Sequence, residues 1–241
     1  MPEKCYQAYS DWMERRYGFP LKKEWLRFTT GCVTAIAWMV QAFTKPGEPC
    51  LILTPVYYPF HNVVTYNDRR LVTVDLHYEE GRFTLDYDAI EKAIVDNGVK
   101  MFIQCSPHNP AGRVWTEDEL DRLFTICRRH GVLVVSDEIH QDLVLTGRRF
   151  VPVAVVNGGA YRDMAVTLSS ASKTFSLATL IHAHIIIITD DKLREIFDHW
   201  ARGHEPDEEQ RAGAGGRLGG LHLRRGLALR PAGGHPGQLR V

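Results

Sequence analysis

The sequence predicts an α/β fold, a mostly parallel sheet with helices layered on both faces in an α/β/α arrangement. Three observations carry this. Short apolar runs alternate with stretches of helical periodicity from Cys50 to Trp200. The runs are almost continuously apolar and β-branched, as strands covered on both faces are. The segments between them serve as the crossovers that parallel strands require, nearly always right-handed.

Taken in order, Tyr6, Tyr9, Met13 and Tyr17 recur at helical spacing and predict a helix from Met1 to about Gly18. Thr29-Thr30-Gly31 leads into Val33, Ile36, Ala37, Val40 and Phe43, which reads as a capped helix ended by Pro46-Gly47. Cys50–Leu53 and Leu71–Asp75 are strand candidates. Asp86–Val95 has helical spacing through Ile90, Ala93 and Ile94. Lys100–Cys105 is the next strand. Thr116–His130 reads as a helix with Leu120, Leu123, Ile126 and Cys127 on one face. Val132–Ser136, Ala165–Ser169 and Ala183–Ile188 complete the strands, and Asp190 to Trp200 closes the series as a helix. No internal repeat of solenoid period is present.

Composition narrows the function classes. The 241 residues carry 29 Lys+Arg against 29 Asp+Glu, without the basic excess that phosphate contacts with nucleic acid need. With 44% hydrophobic residues the chain can bury a sizeable core in one or two domains. No apolar run approaches the ~20 residues of a membrane span, and Met1-Pro2-Glu3-Lys4-Cys5 has no secretory apolar region. Five cysteines (Cys5, Cys32, Cys50, Cys105 and Cys127) form no CxxC pair and fit reduced thiols of a cytoplasmic protein. His182 and His184 are spaced to share a strand face, but no third ligand stands at metal spacing, so no metal site is expected. No phosphate-binding Gly-Lys-Ser/Thr loop occurs either.

Ligands of such sheets sit just outside the carboxyl ends of the strands. Thr54-Pro55-Val56-Tyr57-Tyr58-Pro59 follows the first strand candidate. Ser106-Pro107-His108-Asn109-Pro110-Ala111-Gly112-Arg113 follows the third, a rigid turn presenting Asn109. Asp137-Glu138-Ile139-His140 and Ser170-Ala171-Ser172-Lys173 follow the next two. Gly31-Cys32-Val33 opens a helix whose free N–H groups suit a phosphate. Singly, each residue has a plain structural reading: Asp137 as a helix cap, Lys173 as a solvated lysine, Asn109 as a turn former, Tyr57 as a core ring. Jointly they have one chemical meaning. A lysine forms a Schiff base with an aldehyde cofactor, an aspartate keeps a pyridine nitrogen protonated, a tyrosine stacks on the ring, and a helix N-terminus with Ser170 holds a phosphate. That set describes pyridoxal 5′-phosphate (PLP).

The segments Thr54–Phe60, Pro107–Trp115, Val134–His140 and Ser172–Phe175 resemble fold-type I PLP enzymes. The branch they resemble is the cystathionine β-lyase (MalY/PatB-like) group of the class I/II aminotransferase family, from about Met1 to about Ala201. The resemblance implies the PLP-transferase large domain over residues 1–202, without the N-terminal arm and the C-terminal small domain that relatives carry. It implies that Lys173 bears the cofactor and moves the Cα proton, that Asp137 pairs with the pyridine nitrogen, and that Asn109 bonds the ring hydroxyl. Tyr57 then stacks on the ring, Gly31, Cys32, Val33 and Ser170 surround the phosphate, and His140 lies near ring or substrate. The implied reaction is β-elimination of a cystathionine- or cysteine-like amino acid to a thiol, pyruvate and ammonia, in a homodimer of the intact family. Transamination uses the same residues and stays open, as does a non-catalytic PLP-binding or regulatory fragment.

Departures from the family pattern fall at Ser106, at Thr179, where Gly is usual, and at Ile181-His182-Ala183-His184. A β-branched residue for Gly matters where the backbone needs φ > 0. Residues 203–241 hold ten of the 20 glycines and no Phe, Tyr, Trp, Ile or Lys. They read as a frame-shifted or disordered tail. Gly219–Leu227 can be encoded so that the shifted frame gives Ala-Ala-Tyr-Thr-Tyr-Gly-Glu-Ala-Trp, a helix-like segment. The expectation is a truncated copy lacking the arginine that grips the substrate carboxylate.

Overall fold

The computed structural model describes residues 3–144, 147–177 and 184–204. The chain runs through α1 (Glu3–Tyr17), β1 (Leu26–Thr29), α2 (Cys32–Phe43), β2 (Pro49–Thr54), α3 (Pro59–Thr65) and β3 (Arg70–Asp75). A hairpin of β4 (His77–Glu79) and β5 (Arg82–Thr84) precedes α4 (Tyr87–Asn97), β6 (Met101–Cys105), α5 (Glu117–Arg129) and β7 (Leu133–Asp137). The short α6 (Val156–Gly159), β8 (Ala165–Ser170), α7 (Ala171–Thr174), β9 (His184–Ile187) and α8 (Asp191–Arg202) follow. The expectations for Thr179, for Ile181-His182-Ala183 and for the tail from 205 on lie outside the described residues.

Helix ends follow local chemistry. Asp86 accepts the Ala89 N–H at 2.9 Å to start α4, and Gly98, at φ 62°, ends it in the left-handed region. Thr116 and Glu119 form a reciprocal capping box on α5, at 3.1 and 2.8 Å. Asp190 caps α8 through the Leu193 N–H. The predicted cap of α2 is different: Gly31 holds that position, without a side-chain cap bond, and Thr29 belongs to β1. The first N–H groups of α2 are therefore not taken up by a cap side chain.

Among the described residues, seven strands form one sheet in the order β1-β9-β8-β7-β6-β2-β3. The pairs β3·β2, β2·β6, β6·β7 and β7·β8 are parallel. β9 is antiparallel to both β8 and β1, so one strand runs against the other six. Pleating divides the side chains between two layers. Cys50, Ile52, Met101, Ile103, Val135, Val166, Leu168 and Ile186 pack under α2, α3 and α8. Leu51, Leu53, Phe102, Val134 and Ala165 pack under α4 and α5. On that same face Ile185 and Ile187 meet Met13 and Tyr17 of α1. This is the predicted α/β/α sandwich. Among the described residues no helix is long and apolar enough to cross a membrane, and no group of three His, Cys, Asp or Glu could hold a metal ion. All five cysteines are free, with Cys5 alone exposed.

Candidate functional site

Register sets the strand ends level. Cys105 pairs with Asp137, and Asp137 with Leu168. By the twofold alternation, Cys105, Asp137 and Ser170 all face the layer that contains α2. Ser170 and Thr29 both pair with His184, so the N-terminus of α2 begins two strands away from Ser170.

The loop after β2 is tied to the loop after β6. Tyr57 N–H donates to Asn109 O at 3.0 Å. His108 Nε2 lies 2.9 Å from Pro55 O, and burial holds this imidazole below its usual pKa, so the neutral ring donates there. Asn109 N–H in turn meets Cys105 Sγ at 3.3 Å. Gly112, at φ 64°, closes the turn, where a bridge pairs His108 with Arg113. Tyr57 is 40% exposed, which removes the core reading for this ring.

Asp137 is the electrostatic centre. It is 4% exposed, and Oδ1 accepts the Ile139 N–H at 3.2 Å. Burial pushes its carboxyl up to about 6, against bonds from the Ile139 N–H and the Cys32 thiol. Among the described residues no cation forms an ion pair with it. The Cys32 thiol is raised well above its ordinary value, by burial first and then by Asp137. The Cys105 thiol is pushed up to about 12 by burial and by Asp137. Both thiols are therefore neutral, and neither is a nucleophile in this setting.

Lys173 is exposed, on the one-turn helix that Ser170 caps by accepting the Ser172 N–H at 3.0 Å. Its charge helps to lower the pKa of His140, after burial, and bears on Cys32 as well. Lys173 thus acts on His140 and on Cys32, Cys32 on Asp137, and Cys105 links Asp137 to Asn109 and Tyr57. Gly31 and Val33 flank Cys32 at the start of α2. The side chain of Cys32 is turned to Asp137, leaving its backbone N–H for an anion.

Two partners escaped sequence reasoning. Cys105 ends a predicted strand in phase with Asp137, which counting by twos would reveal once register is known. Glu138, fully buried, points to the opposite face, where Oε1 accepts Ser136 Oγ at 3.0 Å and Val153 N–H at 2.8 Å. Burial pushes it up to about 8.

A profile of the aminotransferase class I and II family matches residues 3–203. Cystathionine β-lyase PatB of Bacillus subtilis (strain 168) is 40% identical over 195 residues, covering 81% of this chain and 50% of the relative. Protein MalY of Escherichia coli (strain K12) is 31% identical over 180 residues, 75% of this chain and 45% of the relative. Cystalysin from Treponema denticola, solved with its pyridoxal 5′-phosphate cofactor, aligns with a TM-score of 0.79 at 33% identity, over 84% of this chain and 51% of that one. The chain spans about half the length of the relatives it matches.

Proposed function

The chain belongs to the aminotransferase class I and II family, and from that premise we propose that it carries the cofactor-holding domain of a PLP-dependent C–S lyase, within residues 1–202. The observation that supports this most is Asp137. A carboxyl at a strand end, 4% exposed and without a cationic partner among the described residues, has acceptor capacity that a protonated pyridine nitrogen would satisfy. The other residues fit the same group. The uncapped start of α2 at Gly31, Cys32 and Val33 offers N–H donors for the phosphate, and Ser170, whose buried hydroxyl here donates to Ser172 Oγ at 2.8 Å, would exchange that bond for one to the phosphate. Asn109 serves the ring hydroxyl, the exposed Tyr57 ring covers a face, and Lys173 is accessible to the aldehyde.

When bound, PLP supplies an electron sink for negative charge at the substrate Cα. Asp137 would hold the proton on the ring nitrogen. With the group bound, the Lys173 amine would serve as the base for the substrate Cα proton. His140, kept neutral by burial and by Lys173, stands beside that amine without competing for positive charge. Loss of a thiolate from Cβ, with water hydrolysing what remains, would give pyruvate and ammonia. The substrate is a cystathionine- or cysteine-like amino acid. The reading carries with it a homodimeric assembly and a cytoplasmic location.

The test uses the full chain. On addition of PLP it should develop a visible absorbance band that Lys173→Ala lacks, and release pyruvate from cystathionine with no keto acid present. Turnover strictly dependent on a keto-acid acceptor would assign an aminotransferase instead. A chain that gains no band beyond that of Lys173→Ala would end the reading.

A further inference from the structure

The turn that carries Lys173 has few bonds of its own. Phe175 N–H donates to Ala171 O at 3.0 Å and Leu177 N–H to Ser172 O at 2.8 Å, beside the Ser170 cap. A single helical turn is too short to hold itself. Support comes from outside it. The Thr174 hydroxyl donates to Oδ2 of Asp142 at 2.8 Å. The Asp142 side chain is 5% exposed and takes three more contacts, all from α1: hydrogen bonds from Trp12 Nε1 at 3.2 Å and from the Tyr17 hydroxyl, and an ion pair with Arg16 Nε at 3.0 Å. Trp12 also reaches the turn directly, its ring meeting Phe175 edge-on at 5.5 Å, while the Arg16 guanidinium lies over the Trp12 ring at 4.9 Å. The two residues that follow Lys173 are therefore both held by α1, Thr174 through Asp142 and Phe175 through Trp12.

A nearly buried carboxylate with three hydrogen-bond donors and an ion pair from two other segments is a fixed post. Bonds to an ionised acceptor are the strong class, and at this exposure water does not replace a lost donor. We propose that Asp142 is a positioning residue that ties the Lys173 turn to α1 and so fixes the approach of the amine. The proposal rests on Lys173 as the reacting amine. It makes α1 a working part of the site, although none of the residues assigned to PLP lies on it.

Thr174→Val removes one donor at nearly constant shape, and Thr174→Ser keeps it. Amide hydrogen exchange on the full chain should show Phe175 and Leu177 exchanging roughly tenfold faster in Thr174→Val, the effect of one lost bond to a charged acceptor. Thr174→Ser should restore them, and the β6 and β7 amides should stay unchanged. Equal acceleration at every amide, or none at Phe175 and Leu177, would overturn the proposal. Capture of PLP is read separately, by borohydride reduction and mass of the Lys173 peptide. It should be slower in Thr174→Val and recover in Thr174→Ser, and wild-type-like capture in Thr174→Val would also count against positioning. A wild-type chain that captures none would remove the lyase reading and, with it, the amine that Asp142 is said to aim. The exchange comparison would still decide whether Asp142 holds the turn.

Discussion

Asp137 and Glu138 are adjacent carboxyls with opposite surroundings, because successive side chains of an extended segment point to opposite faces. One meets α2 and Cys32; the other is sealed against Ser136 and the Val153 amide. The Cys32 thiol lowers the Asp137 value that burial raises. Cys32→Ala should therefore move the Asp137 titration above about 6, seen in the carboxyl carbon resonance against pH. Asp137→Asn keeps the shape and loses the charge. It should cut pyruvate release by at least ~100-fold, as losing a preorganised electrostatic partner does, with a melting temperature near that of the wild type. A rate unchanged by that substitution would show that Asp137 does not face the ring nitrogen.

At the scale of elements, the helices owe their ends to short-range signals. Thr116→Ala should lower stability by about 1 kcal/mol through the α5 capping box, as a shifted denaturation midpoint with an unchanged slope. The same locality explains what was legible in the sequence. α4, α5 and α8 announce themselves through caps and apolar spacing, and β2, β6, β7 and β8 through buried apolar runs. β1 does not, because Leu26-Arg27-Phe28-Thr29 is four residues long and, among the described residues, pairs with β9 alone. α3 begins at Pro59, inside a segment whose prolines read as loop. The reversed direction of β9 was hidden because an apolar run has no polarity. The site residues could be named from their places after strands. Their couplings, Cys32 with Asp137 and Thr174 with Asp142, join segments far apart in the chain and follow only from register and packing.

For the molecule as a whole, the buried carboxyls set the pH dependence. Folded Glu138 keeps its proton up to about 8, whereas the unfolded chain releases it near the ordinary value of roughly 4.3. Between these limits the folded state binds more protons, so stability falls as pH rises. Asp137 acts in the same sense up to about 6. Asp163 and Asp198, lowered by Arg128 and Arg27, act oppositely in the acid range below the ordinary aspartate value, and His108 and His140, both lowered by burial, act oppositely up to the ordinary histidine value of about 6.5. Melting temperature should thus decline from about pH 7, above the histidine range, to about pH 8, and Glu138→Gln should flatten that decline. An equal slope in both proteins would mean that Glu138 is not protonated in the fold. The edge of the sheet has a different kind of consequence. β1 pairs with β9, α1 packs on Ile185 and Ile187, and the Arg27–Asp198 bond spans 171 positions. During synthesis, which delivers residues from the N-terminus onward, α1 can dock once Asp142 and Phe150 are made, but β1 must wait until β9 and α8 emerge. Closure over so long a loop is slow. Until β9 is made, β1 lacks the strand it pairs with, and that open edge is where a chaperone would find the growing chain.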